Sequence, residues 1–152
     1  MFSQTITIFN RREGDKGDTW YPTVLNNAKV DMDRAAILAK YGATATDNAA
    51  IHIPYTKDEN GAILIAGKRW LPPKEWEAQL EHSECITFTP GDRFDFFWLG
   101  DWGNENPVYD GDYAPSYMDF YTHMNRVHDF VFAVSSVGGP YRIIPHFEIM
   151  GK

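Results

Sequence analysis

The chain has 152 residues, of which 43% are hydrophobic and 15% aromatic, and its formal net charge is −7. This length suits one domain, expected over residues 1–152, that buries a core without a disulfide or a structural metal. The single cysteine, Cys85, excludes an internal disulfide. The acidic charge argues against wrapping around nucleic-acid phosphates. No membrane helix of roughly 20 apolar residues and no signal peptide is expected.

The first part of the chain alternates between apolar and polar residues, as β-strands do. Residues 5–9 and 19–25 predict two strands joined by a polar, glycine-containing hairpin loop over residues 10–18. Pro22 lacks a backbone N–H and therefore indicates an edge position or a bulge in the second strand. Residues 28–32 alternate again and predict a third strand.

A long loop near residues 33–48, which stays irregular or contains a short helix, precedes the next predicted strand at residues 50–55. In that strand the alternation turns Ile51 and Ile53 inward and His52 outward. We interpret His52 as a solvated strand histidine and not as a metal ligand, because no second ligand-type residue lies near it in the sequence.

The segment that follows predicts a hairpin and a short helix. Residues 56–61 predict a turn, in which the Asn-Gly pair at residues 60–61 is a strong hairpin signal, and residues 63–65 are the returning strand. A proline-led segment over residues 71–80 predicts a helix of about two turns. Trp76 and Leu80 are four residues apart, so we expect them to share the helix face that lies on the sheet.

Residues 85–99 are the most aromatic part of the chain and alternate in two runs. The Pro-Gly-Asp sequence at residues 90–92 separates the runs and predicts a turn. We therefore expect a central hairpin that the other strands cover. Asp92 and Asp95 have the chemistry of an acid–base pair, but turn and surface roles are commoner for such aspartates.

Residues 100–114 combine acidic, glycine and aromatic residues in a long loop. The oxygen-ligand spacing of an EF-hand is absent, so the segment favours a docking surface or a mobile insertion over a calcium site. Asp110 and Asp112 also have the chemistry of an acid–base pair, but turn and surface roles are again commoner for such aspartates. Ser116 and Asp119 then have capping-box spacing and predict the start of a second helix.

The final strands are predicted at residues 130–137 and 141–149, around a turn at residues 138–140. The total is about eight strands and one or two short helices, which makes the fold class mainly β. A small β-barrel or a two-sheet sandwich would remove or shorten the open edges of such strands. Motifs of nucleophilic, zinc and phosphate-binding sites are absent. The sequence therefore predicts no catalytic residue, no cofactor and no metal.

Seven segments, taken in chain order, share a resemblance to one family: residues 5–10, 20–25, 51–55, 70–76, 90–92, 134–137 and 146–152. In this order they resemble small proteins of tailed phages and prophages, the head–tail connector group of head-closure or head–tail joining proteins. The resemblance spans most of the chain. Two segments, residues 33–46 and 100–114, look longer than the family pattern.

The resemblance implies a non-catalytic virion protein, present in the host cytoplasm during assembly. Copies of the barrel would form a ring between the portal or adaptor and the tail, and DNA would pass through without sequence-specific binding. An acidic channel repels DNA and lets it slide, which is compatible with the charge. Loops would make the contacts with neighbouring subunits, and the candidate interface residues are Arg11, Arg12, Trp102, Tyr109 and Tyr113.

Two alternatives remain open from the sequence. The first is a small β-barrel ligand-binding module or enzyme that uses the aromatic loop as a platform for a sugar or a peptide. Such a module is expected to be a monomer with an aromatic cleft. The second is another virion component, such as a tail-completion or minor capsid protein.

Overall fold

The computed structural model describes residues 4–32 and 49–152. The loop predicted near residues 33–48, whether irregular or with a short helix, therefore lies outside the described residues. The described part of the chain contains eleven strands: β1 (Gln4–Arg12), β2 (Thr19–Asp31), β3 (Ala49–Pro54), β4 (Thr56–Lys57), β5 (Ile63–Ile65), β6 (Lys68–Trp70), β7 (Cys85–Ile86), β8 (Phe96–Trp98), β9 (Val108–Tyr109), β10 (Val131–Tyr141) and β11 (His146–Gly151). It also contains two helices, α1 (Pro73–Glu77) and α2 (Phe120–Val127), and three 3₁₀ turns, His82–Glu84, Gly91–Arg93 and Asp110–Asp112.

Six strands form a closed antiparallel barrel. Their order is β1-β8-β10-β11-β3-β2, and β2 pairs with β1 to close the ring. Strand β9 adds to β2 outside the ring. The remaining strands form a second sheet in the order β4-β5-β6-β7. The mainly β fold predicted from the alternating pattern is confirmed, in its barrel form.

The β1–β2 hairpin is confirmed, and β2 is longer than the sequence suggested. Residues 28–32 were predicted as a separate strand, which is wrong, because β2 runs without a break from Thr19 to Asp31. The pairing of β1 with β2 shifts by one residue opposite Asn26 and Asn27, so a bulge accommodates these two polar residues. Pro22 lies where β2 pairs with β1 alone, as its missing N–H requires.

A hairpin turn at the Asn-Gly pair is confirmed, as part of a loop over residues 58–62 with Gly61 at a φ of +82°. A positive φ of this size favours glycine, which has no Cβ to clash with the backbone. Thr56 and Lys57, which the predicted turn included, form β4 instead. The strand paired with β5 is β4, however, and not the barrel strand β3. This turn therefore belongs to the second sheet.

The predicted hairpin over residues 85–99 is wrong. Strand β7 pairs in parallel with β6 of the second sheet, whereas β8 lies in the barrel between β1 and β10. The backbone N–H of Asp95 donates to the carbonyl of Thr89 at 2.8 Å, and the Thr89 N–H donates to Asp95 Oδ2 at 2.9 Å. These bonds close a loop that carries the chain from one sheet to the other, so each aromatic run finds its partners in distant strands.

The barrel interior holds the larger of two hydrophobic cores. Alternate residues of β1 and β3 point into it, and Ile6, Ile8, Ile51 and Ile53 are fully buried. The inward orientation predicted for the two β3 isoleucines is thus confirmed. The second sheet and the loop that follows it contribute to the same core with Ile65, Ile86 and Phe88.

A second core lies on the outer face of the barrel. Phe9 of β1 and Phe96 of β8 stack with ring centroids 4.7 Å apart, and Phe120 of α2 lies 5.2 Å from the Phe9 ring. Trp20, Met124 and Val131 complete the buried cluster. Helix α2 and the preceding loop therefore cover this face of the barrel.

Helix α2 starts later than its predicted capping box. Asp119 is the N-cap, and its side chain accepts a hydrogen bond from the Thr122 N–H at 2.7 Å. The prediction that Ser116 caps this helix is wrong, because the residues before Asp119 form turns. Asp119 itself satisfies one of the free N–H groups at the helix start.

Helix α1 is shorter than predicted and ends at Glu77. Trp76 is buried, but Leu80 is 95% exposed, so the shared face predicted for these two residues is wrong. The chain leaves the helical path before Leu80, and the spacing of four residues no longer aligns the side chains. Neither α1 nor α2 has the length and hydrophobicity needed to cross a membrane.

Asp110 joins three separate elements in the outer layer. Its Oδ1 accepts from Trp20 Nε1 at 2.7 Å and from the Phe120 N–H at 3.1 Å. Its Oδ2 accepts from the Asp18 N–H at 2.9 Å. One buried carboxylate thus connects β2, the start of α2 and the loop before β2.

We expect Asp110→Ala to lower the free energy of unfolding by about 3 kcal/mol or more, because buried donors would lose their acceptor at a cost of about 1–3 kcal/mol each. The measurement is urea unfolding followed by tryptophan fluorescence. Asp112→Ala is the matched control, since Asp112 is exposed in the same 3₁₀ turn and should change stability by less than about 0.5 kcal/mol. Equal effects of the two substitutions would contradict the proposed junction.

Candidate functional site

Two of the predicted interface residues lie on one surface near the β1–β2 loop. Thr19 of β2 pairs with Arg12 of β1 on one side and with Tyr109 of β9 on the other. Side chains of residues paired in register point to the same side of a sheet. Arg12 and Tyr109 are both exposed, so they flank Thr19 as two accessible side chains.

Arg11 is half-buried and held by aromatic rings. Its guanidinium carbon lies 4.5 Å from the ring centroids of both Trp20 and Phe94. Its Nε is 3.6 Å from Asp18 Oδ2. Cation–π contacts and an ion pair thus occupy the charge of Arg11, which fixes the β1–β2 loop against the outer core.

Trp102 and Tyr113 are half-buried parts of the outer core. The Trp102 ring centroid lies 5.4 Å from that of Phe9 and 5.5 Å from that of Phe120. The Tyr113 ring lies 5.0 Å from the Phe120 ring. Both residues cover α2 and β1, and only part of each ring remains available to a partner.

A pair of exposed isoleucines stands at the turn between β10 and β11. Ile143 is 100% exposed and Ile144 is 73% exposed. The sequence prediction placed residues 141–149 in one strand after a turn at residues 138–140. Both statements are wrong, because β10 continues to Tyr141 and the turn occupies residues 142–145. Adjacent isoleucines break the alternation of a strand, and this was the available signal in the sequence.

This turn and Arg12 lie at the same end of the barrel. Strands β1, β3 and β10 run in one direction, because each is separated from the next by one antiparallel neighbour. Strand β1 ends at Arg12 and β10 ends at Tyr141. The exposed isoleucines therefore share a barrel end with the β1–β2 loop.

Asp95 lies in a buried polar network under the same barrel end. Its Oδ1 accepts from the Arg11 N–H at 2.8 Å, and its Oδ2 accepts from Asn10 Nδ2 at 2.9 Å and from the Thr89 N–H at 2.9 Å. Burial raises the pKa of Asp95 to about 7, while these hydrogen bonds act in the opposite direction. Asp92 is exposed in the preceding 3₁₀ turn. The hydrogen bonds of Asp95 join β1 to Thr89.

Three residues with metal-binding side chains meet on the outer face where β3 pairs with β11. Glu148 lies opposite His52 in register, and His146 is two residues from Glu148 on the same face. One ring nitrogen of each histidine and one carboxylate oxygen of Glu148 all lie within 4.8 Å of one another. The sequence interpretation of His52 considered only local neighbours and missed these two residues of the last strand.

The whole chain, residues 1–152, matches the model of a protein family described as a family of unknown function, DUF6751. No curated protein and no solved structure matches the chain.

We expect the stability contribution of Asp95 to fall as the pH rises from about 4 to about 7. In this window the folded protein keeps a proton on Asp95 that the unfolded chain releases, so the free energy of unfolding loses up to about 1.4 kcal/mol per pH unit from this group. Asp95→Asn removes the titration. As the pH rises across this window, the free energy of unfolding of the wild type should therefore fall relative to that of the variant.

The measurement is urea unfolding at several pH values between about 4 and 8. Asp92→Asn is the matched control, because Asp92 is exposed in the adjoining 3₁₀ turn. A difference between wild type and Asp95→Asn that stays constant over this range would contradict the assignment.

Proposed function

The chain belongs to the DUF6751 family, and we propose that it is a non-catalytic structural subunit of a tailed-phage head–tail connector. In this proposal copies form a ring that joins the portal or adaptor to the tail, and DNA passes through the ring. The observation that carries the proposal is the exposed apolar turn formed by Ile143 and Ile144 at one barrel end. The resemblance of the ordered sequence segments supplies the identity of the assembly.

The backbone of this turn is held in place while its apolar side chains face solvent. The Tyr55 hydroxyl donates to the Tyr141 carbonyl at 2.7 Å, and the Tyr55 N–H donates to the Pro145 carbonyl at 3.3 Å. His146 Nδ1 lies 2.6 Å from the Ile144 carbonyl. A turn fixed by these bonds presents its isoleucines in one geometry, which lowers the entropy lost on docking.

Burial of the two isoleucines against a neighbouring subunit would stabilise the assembly. Full burial of an isoleucine side chain contributes about 1.5–3 kcal/mol. The barrel interior beside the turn is already filled by residues such as Ile53 and Phe147. Ile143 and Ile144 therefore gain burial from another protein and not from a rearrangement of their own core.

Closure of the barrel supports the same mode of assembly. Since β1 pairs with β2, the six barrel strands form a continuous ring of neighbours. The closed barrel itself offers no long open edge for strand addition, so the loops and turns at its ends are available for contacts with neighbours. Arg12 and Tyr109 stand near the β1–β2 loop and are candidates for the polar part of such a contact.

The geometry does not favour the alternative of a ligand-binding module or enzyme built on the aromatic loop. In the aromatic loop, Trp102 and Tyr113 are half-buried and pack on the outer core, whereas Tyr109 is more than half exposed. A flat aromatic platform for a sugar or peptide needs several ring faces in solvent. A tail-completion or minor capsid role remains a variant of the structural proposal.

We expect the double substitution Ile143→Asp and Ile144→Asp to block joining of heads to tails. The change is made in an inducible prophage that carries the gene, and particles are examined by electron microscopy and plaque assay. The expected result is DNA-filled heads and separate tails, because buried aspartates would oppose docking. Leu80→Asp is the matched control, because Leu80 is also strongly exposed, at 95%, but lies in the segment after α1 and not in this turn.

Normal joined particles from the double variant, with the protein present and folded, would overturn the role of the turn. Normal particles after deletion of the gene would overturn the connector proposal itself. Capsids that fail to form would instead indicate a minor capsid role. Tails that remain incomplete would indicate a tail-completion role. Genes for a portal, a major capsid protein and a tail tube beside this gene are the expected genomic context.

A further inference from the structure

Independently of any role in a virion, we propose that His52, His146 and Glu148 bind a divalent transition-metal ion, zinc, on the outer face of the barrel. Their neighbours in the strands, Ile53 and Phe147, point into the core, so the three ligand side chains face outward. Strands β3 and β11 are adjacent and antiparallel, which fixes the backbone on which the ligands stand.

The spacing of the three side chains fits an ion between them. Their ligand atoms lie within 4.8 Å of one another, and the two imidazole centroids are 5.7 Å apart. An ion at about 2.0–2.2 Å from each ligand atom requires a modest further approach. All three residues are partly exposed, so their side chains can adjust and the ion can enter from solvent.

The hydrogen bond to His146 prepares it for metal binding. Its Nδ1 lies 2.6 Å from the Ile144 carbonyl oxygen. A carbonyl only accepts hydrogen bonds, so Nδ1 carries the proton of the neutral ring and Nε2 keeps a free lone pair. A backbone carbonyl that holds the second nitrogen in this way is a common support for metal-binding histidines.

Asp31 of β2 supports His52 in the same manner. Its Oδ2 lies 3.0 Å from His52 Nε2, and its Oδ1 lies 3.9 Å from Lys29 Nζ. With Nε2 donating to the carboxylate, Nδ1 of the neutral ring keeps its lone pair. A carboxylate–histidine pair raises the basicity of the imidazole as a ligand. The hydrogen bond with Asp31 orients the His52 ring, and the register of β3 against β11 places Glu148 opposite it.

Two imidazoles and one carboxylate determine the class of ion. Magnesium and calcium take oxygen ligands almost alone, whereas zinc binds histidine nitrogen and carboxylate oxygen in tetrahedral sites. Three protein ligands leave the fourth position for water or for a side chain from a neighbouring molecule. Iron(II) also uses two histidines with one carboxylate, so it is the competing ion.

The test is isothermal titration of the metal-stripped full chain with zinc chloride. We expect one equivalent to bind to the wild type, and no binding to His52→Ala or to Glu148→Gln. Asp31→Asn should weaken zinc binding by about 10–100-fold, because it removes a supporting carboxylate and no ligand. His128→Ala is the matched control, since His128 packs on Trp98 at 4.7 Å between ring centroids and belongs to another surface.

Circular dichroism spectra of each variant confirm that a loss of binding does not reflect unfolding, and the charge-neutral Glu148→Gln change keeps the size of the side chain. Absence of saturable zinc binding by the wild type would overturn the proposal. Stoichiometric binding that survives in both His52→Ala and Glu148→Gln would also overturn it. Tighter binding of iron(II) than of zinc would overturn the choice of metal. Because all these measurements use the isolated protein, their outcome does not depend on the connector proposal.

Discussion

The pairing of β1 with β2 is the constraint on which the rest of the molecule depends, because it is both the first hairpin of the chain and the contact that closes the barrel. Closure encloses the core around Ile6 and Ile8. It also presents Phe9 on the opposite face, where α2 and the preceding loop build the second core. The same strand supplies the Arg11 N–H that holds Asp95 at the end of the barrel. One strand therefore organises the interior, the outer layer and the loop that joins the two sheets.

Much of the fold could be predicted from local sequence patterns, because alternation and turn residues act over a few positions. The β1–β2 hairpin, the strand at β3 and the turn at Gly61 follow from such patterns. The fate of residues 85–99 does not, since only Cys85–Ile86 and Phe96–Trp98 of the two predicted runs form strands, and alternation says nothing about their partners. Those partners are set by hydrogen bonds and packing between segments far apart in sequence, such as the bond from Asn10 to Asp95.

The candidate sites show the same boundary between local and long-range information. The adjacent Ile143 and Ile144 break the alternation of a strand, which indicates a turn. Only the position of the β10–β11 turn decides which of these residues face solvent. The meeting of His52 with Glu148 depends wholly on the register of β3 against β11. A shift by one residue would turn the histidine and the glutamate to opposite faces. A single sequence carries no signal for that register beyond the requirement that the isoleucines of β3 point inward.

The route by which the barrel closes also sets how fast the protein reaches its native state. The β1–β2 hairpin is local and can form early, whereas the other side of β1 waits for β8, which in turn must receive β10. Contacts between such distant segments carry a large loop-closure entropy, and folding slows as their share grows. Until β8 pairs with β1, one edge of β1 is open and the apolar side chains on both faces of the strand are uncovered. The chain is therefore most prone to aggregation between formation of its first hairpin and completion of the ring, when association with other chains competes with folding.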